Sequence, residues 1–185
     1  LAEALASVAG ATSAVLFYDE GEWRLYDRAV TVEHPGYAAW LNDLTRLEFG
    51  RSYWVHATAT ITPYLGLPEA QSTAFNPLPT TLYGPVSATA DFVPVAGMEV
   101  QAVIGEALCG SGAIETVGGA LAYKVQVRAD AGDGCARAGQ TVTFRAGGRS
   151  FAETFTLEGD AWNRQAWYHP LATPLFQVYL PLVRK

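Results

Sequence analysis

The chain has 185 residues and a formal net charge of −6; half of its residues are hydrophobic and 16% are charged. That balance argues against a disordered polymer and, with no basic run or basic–aromatic stripe to offset the acidity, against nucleic-acid binding. No apolar run reaches the roughly 18–20 residues needed to span a bilayer, so the chain is not expected to be membrane-spanning.

Val, Thr, Tyr, Trp and Gly recur between short turn signals, which predicts a mainly β fold. The sequence opens at Leu1 with neither an initiator Met nor a basic leader. A processed, exported chain is the expectation, although a trimmed one would look the same. Leu1, Ala4, Leu5 and Val8 repeat at helical spacing before Gly10, so a short helix is predicted first. Residues 13–18 and 23–26 read as a hairpin around the acidic tip Asp19, Glu20 and Glu22. Residues 27–40 show no clear period beyond the His34-Pro35-Gly36 turn signal. Residues 42–47 read as one helical turn, and 52–58 and 60–65 as two further strands. Residues 1–66 thus form a small α+β module, too small to be comfortable alone.

Residues 67–80 are Pro-rich and read as a semi-rigid linker. From 81 to 170 the pattern becomes a β-sandwich, with strands expected at 81–88, 99–106, 121–128, 141–146, 150–157 and 163–169. Tyr123, Val125 and Val127 alternate with Lys124, Gln126 and Arg128, as on a strand with one wet face. The last segment, 171–185, is a strand-like tail. In it Phe176, Val178, Leu180 and Leu182 share one apolar face, Tyr179 caps the other, and Pro181 needs a site without a ladder bond.

The two cysteines, Cys109 and Cys135, fit either one disulfide or two buried thiols in a reducing compartment. Scarce Lys (Lys124 and Lys185) and abundant Tyr and Trp favour the disulfide and a secreted, extracellular or cell-surface location. No catalytic centre emerges, and an enzyme is not expected. His34, His56 and His169 lack metal-ligand spacing. Asp130 and Asp133 fall short of the acidic density of a Ca²⁺ loop, and Gly110-Ser111-Gly112 lacks the strand-to-helix context of a nucleophile elbow. No cofactor is implied. Exposed rings at Trp23, Trp40 and Tyr53 would suit stacking on a polysaccharide; as core residues they would simply fill the small module.

Several stretches resemble a known pattern. Leu5-Ala-Ser-Val-Ala-Gly10, the Trp23 to Asp27 hairpin and Tyr53-Trp54-Val55 look like a small module of modular secreted bacterial surface proteins. Leu82-Tyr-Gly-Pro-Val86, the Leu108-Cys-Gly110 turn, Gly134-Cys135 and Thr141-Val-Thr-Phe-Arg145 resemble the transthyretin-like or immunoglobulin-like module that follows it. The ending Val178-Tyr-Leu-Pro-Leu-Val-Arg184 is similar to a tail on such proteins. In that pattern an aromatic-x-Leu/Val-x-Leu-Pro-Leu strand precedes the helix, and here it does not. The resemblance therefore implies an acceptor built from Leu5, Val8, Val15, Phe17 and Trp54, and a donor built from Phe176, Val178, Tyr179, Leu180 and Leu182.

The expected function is a structural subunit of an extracellular, pilus-like filament. Its partner is itself, in a homopolymer linked by the tail of one copy in the small module of the next. The alternatives are a carbohydrate-binding or adhesion module, or a passive spacer with the tail folded back on its own chain.

Overall fold

The computed structural model describes residues 10–19, 21–48, 51–59, 78–128, 131–132, 134–157, 166–172 and 174–175. The expected opening helix with Leu5 and Val8, the strand at 60–65, most of the linker, Glu20, Asp130, Asp133 and the tail from Phe176 onward lie outside them.

The first unit is a three-stranded antiparallel sheet. Strand β1 (Thr12–Asp19) turns through Gly21, at φ +93°, into β2 (Glu22–Asp27). That left-handed φ suits a residue without a Cβ. Two short helices follow, α1 (Arg28–Glu33) and α2 (Pro35–Leu41), before β3 (Trp54–Ala57) pairs with β1 on its other side. The sheet order is β2-β1-β3. Where the sequence shows no period, the helices are set by their ends. The Asp27 carboxylate accepts from Ala29 N at 2.8 Å to start α1, and Pro35 opens α2 with the φ a first turn needs. Conversely, residues 42–47 are not helical. Asn42, Asp43 and Leu44 hydrogen-bond to β2 instead, the competition that keeps such side chains out of helices.

The second unit is one continuous sheet. Its strands are β4 (Thr80–Pro85), β5 (Glu99–Ile104), β6 (Ala107–Val117), β7 (Ala120–Val127), β8 (Thr141–Ala146), β9 (Arg149–Thr156), β10 (Ala166–Tyr168) and β11 (Pro174–Leu175). They lie in the order β10-β4-β7-β6-β5-β8-β9-β11, antiparallel throughout except for β10 against β4. The fold is mainly β, as expected.

The longest strand is one the sequence reading missed. Leu108-Cys109-Gly110, expected as a turn, lies inside the 11-residue β6. Its first part pairs with β5 and its last four residues with β7, so the sheet curls about β6. The glycines there have a packing reason. A Cβ on Gly110 would run into the Gln126 carbonyl, and one on Gly112 into that of Lys124.

The curl wraps one core, in which Leu82, Ile114, Tyr123, Val125, Val142 and Phe144 are fully buried. Cys109 and Cys135 form a disulfide that ties β6 to the loop before β8.

The small sheet does not close its own core. Ala14, Leu16, Trp23, Leu25, Val30 and Leu41 pack in one cluster with Tyr83 of β4 and Ala166 of β10. Asp27 is buried at this junction, and its second carboxylate oxygen accepts from Ala166 N at 3.2 Å.

Candidate functional site

Two features stand out between and beside the sheets. The first is a cleft of about 690 Å³ between the hairpin tip of the small sheet and the β6–β7 surface. Three of its polar side chains, Lys124, Gln126 and Arg128, come from the face that alternation marked as wet. Lys124 Nζ donates to Asp43 Oδ2 at 3.2 Å, Gln126 Nε2 to the Trp23 carbonyl at 3.1 Å, and Arg128 Nη1 to the Gly21 carbonyl at 3.0 Å. That face is therefore no bare solvent surface; it is a row of bonds to the small sheet. Glu115, also lining the cleft, accepts from Trp40 Nε1 at 3.1 Å, and the Lys124 ammonium sits 5.6 Å from the centre of the Trp40 ring.

The second feature is the contrast between the two edges of the small sheet. Leu25 N–H donates to Asp43 Oδ1 at 2.7 Å, and its carbonyl accepts from Leu44 N at 3.0 Å. Asp27 N–H donates to Asn42 Oδ1 at 2.8 Å, and its carbonyl accepts from Asn42 Nδ2 at 3.2 Å. With Gln126 on Trp23 and Arg128 on Gly21, the outer side of β2 is sealed. The outer side of β3 takes no strand among the described residues.

The expected acceptor residues divide across the small sheet. Val15 and Phe17 pack on one face with Leu44, and Tyr53 joins them with its ring 5.0 Å from that of Phe17. Trp54 lies opposite Leu16 in register and packs on the other face, 4.9 Å from Trp23. Val15, Phe17 and Trp54 are thus brought to one sheet but not to one groove. Donor residues Phe176, Val178, Tyr179, Leu180 and Leu182 lie outside the described residues.

The three rings expected as a sugar platform are also dispersed. Trp23 is only 4% exposed. Tyr53 is on the opposite face, where its hydroxyl accepts from Glu48 N at 2.7 Å. Trp23 contributes to the cleft wall, and half-buried Trp40 touches it only through its bond to Glu115.

Among the described residues no group of three His, Cys, Asp or Glu is placed to hold a metal ion. His34 stacks on Tyr168 at 4.2 Å, within a cluster of rings that includes Tyr37 and Tyr83. Burial, and then the neighbouring Tyr168, raise the Tyr37 hydroxyl above its ordinary value. His56 Nδ1 bonds to Ser13 Oγ. His169 lies against Phe144 and Phe155, and burial lowers its pKa while Glu153 pulls it back up. Nothing at these positions adds an acid, base or nucleophile in a common cavity. Burial above all, and Glu153 after it, push the Tyr123 hydroxyl well above 10.0; it donates to the His169 carbonyl at 2.8 Å.

Sequence reasoning missed the cleft because its two walls are far apart in the chain; Gln126 and Trp23 are separated by 103 positions. The one available signal was that the polar side of β7 carries long hydrogen-bonding side chains rather than Ser or Thr. Among the described residues no helix is long and apolar enough to cross a membrane. The chain matches no protein-family model, no curated protein and no solved structure.

Proposed function

We propose that the protein is a structural subunit of an extracellular filament, in which the tail of one copy, 176–183, adds as a strand to the small sheet of the next. On this reading the curled sheet serves as the transthyretin-like or immunoglobulin-like module of a secreted surface protein. No chemistry is asked of it.

One observation carries the reading. Pro174 pairs with Phe151 and Leu175 with Ser150, antiparallel, and β9 begins at Arg149. The chain's own ladder has a single residue left to offer where an apolar, strand-patterned segment begins. Four large side chains on one face of that segment, each contributing about 1.5–3 kcal/mol when buried, favour a docked tail over a solvated one. A strand that outruns its own sheet finds its remaining hydrogen bonds on another edge.

Negative-stain electron microscopy of the concentrated full chain tests the proposal against a variant lacking 176–185. Filaments are expected from the full chain and none from the truncation. Equal assembly of the two, or none of either, overturns it.

A second reading is favoured by the cleft. Its size and its fixed set of carboxylates, amide, lysine and arginine beside Trp40 fit a neutral oligosaccharide. Saturable quenching of Trp fluorescence by soluble glucan, lost in Lys124→Met, would support adhesion. A flat titration would remove it.

A further inference from the structure

Resting on the filament reading, the question becomes which edge takes the tail, and the hydrogen bonds of the small sheet answer it. Leu25 directs both its backbone groups away from β1, to Asp43 and Leu44. Its register partner in β1 is Leu16. In an antiparallel pair, opposite residues either exchange both bonds or neither, so Leu16 turns its own N–H and C=O to the other side, toward Trp54. Trp54 therefore faces β1, and Val55, one residue on, faces away. His56 and Ala57 repeat the alternation, and Thr58 N–H returns inward to the Ala11 carbonyl at 2.6 Å.

Among the described residues the outer margin of β3 thus presents the N–H and C=O of Val55 and Ala57 as a short unspent ladder. Val55 is also 38% exposed. Two other strands, β2 and β9, are less open on their outer sides. That side of β2 is sealed by Asn42, Asp43, Leu44, Gln126 and Arg128; β9 carries β11, and Ala172 N–H donates to Glu153 on β9 at 3.2 Å.

We propose that the outer edge of β3, at Val55 and Ala57, is the acceptor, and that its occupant is segment 176–183 of a second copy of this chain. The length fits. Eight residues cover a four-residue strand and its flanks, at about 3.3 Å per residue. The charge fits as well: Arg184 and Lys185 contribute +2 to a chain of net −6, so a basic end meets a remainder of −8. In its own chain the segment follows β11 in sequence, and β11 is paired with β9 of the other sheet.

The test uses Val55→Pro, which removes an outward donor and blocks strand addition while leaving the bonds to β1 untouched. Sedimentation velocity is run on the full chain, on Val55→Pro, on the variant lacking 176–185, and on a mixture of the two variants. The full chain should polymerise and each variant alone should stay monomeric. The mixture, which has one free tail and one free edge per pair, should stop at a one-to-one dimer. If the truncation blocks assembly but Val55→Pro polymerises like the full chain, this acceptor is wrong and the filament reading stands. If the truncation assembles normally, the filament reading itself falls.

Hydrogen exchange at the Val55 and Ala57 amides keeps the proposal testable should Val55→Pro fail to fold. Protection in the polymer and exchange in the truncated monomer are expected. Protection in a monomeric full chain, lost on truncation, would put the chain's own tail on β3 and overturn the intermolecular assignment.

Discussion

The two sheets bury their hydrophobic residues in opposite ways. The curled sheet is filled mainly by aliphatic side chains from its own strands, with Tyr123, Phe144 and Phe151 among them, and one disulfide pins it. The three-stranded sheet relies on rings: Trp23 lies against Tyr18 and Trp54, and Tyr37 against Trp40. Even so, it needs Tyr83 and Ala166 from the larger unit to complete its cluster. Three short strands are about the least a sheet needs for independent stability, so the shared apolar seam and the row of polar bonds are expected to make this one a dependent layer. Trp23 and Trp40 fill the seam while Tyr53 packs on the opposite face, which is why the three form no sugar platform.

The sharpest way to break this comparison is Tyr83→Ala. Tyr83 is fully buried and its ring meets those of His34, Tyr37 and Tyr168. Emptying that site should cost about 3–5 kcal/mol. Because both layers share the residue, calorimetry should show one transition, moved down as a unit. Two separate transitions, with Trp fluorescence changing before far-ultraviolet dichroism, would mean the small sheet stands by itself.

Next in size is the disulfide, which acts on the curled sheet alone. Its cysteines are 26 positions apart, and the Cys109→Ser/Cys135→Ser double variant should lose about 3.5 kcal/mol by loop-entropy reckoning. If the small sheet depends on the large one, its β1 amides should lose hydrogen-exchange protection in parallel. Unchanged protection at Val15 and Leu16 would uncouple the two.

A smaller effect is expected at Asp27, where one carboxylate starts α1 and also accepts from Ala166 across the seam. Asp27→Asn keeps the shape but loses one charged acceptor. Urea denaturation should show a loss of about 2 kcal/mol.

What was legible in the sequence follows from what period and composition can encode. The inward set Tyr123, Val125 and Val127 was readable because a strand repeats every two residues, and residues 141–146 match β8 without adjustment. Strand β6 was not readable. Gly110 and Gly112 look like turn signals, yet they are there to let β6 pass tightly over β7. Helices α1 and α2 are too short to show an apolar stripe; each buries one residue, Val30 and Leu41. Asn42 and Asp43 were misread for a related reason, since a helix-compatible run was diverted by bonds to a distant strand. The candidate site lies furthest from sequence reasoning. Which edge of the small sheet is sealed depends on Gln126 and Arg128 reaching back across more than a hundred residues; no local pattern carries that.

The finest test of the dependent-layer picture is one of pH at the connection between β10 and β11. His169 packs between Phe144 and Phe155, and its Nε2 is buried without a hydrogen-bond partner. Burial holds its pKa below the ordinary 6.5, with Glu153 opposing the shift. The unfolded chain, with the higher affinity, takes up this proton first as pH falls, so stability rises with pH in that interval. The contribution is fully present above 6.5 and is lost as pH drops through the lower, folded value. The urea midpoint should therefore fall further between about pH 7.5 and about pH 5 in the parent than in His169→Leu, where this proton is gone. Glu153→Gln removes the group that favours the imidazolium, so it should steepen the parent's decline. The difference belongs to the large sheet's seam, yet the hydrogen-exchange protection of the small sheet's β1 amides should follow it, because Ala166 and Tyr83 flank the same connection. A pH-dependent signal in far-ultraviolet dichroism that left protection at Val15 and Leu16 unmoved would show that the smaller layer holds together without help from the larger one.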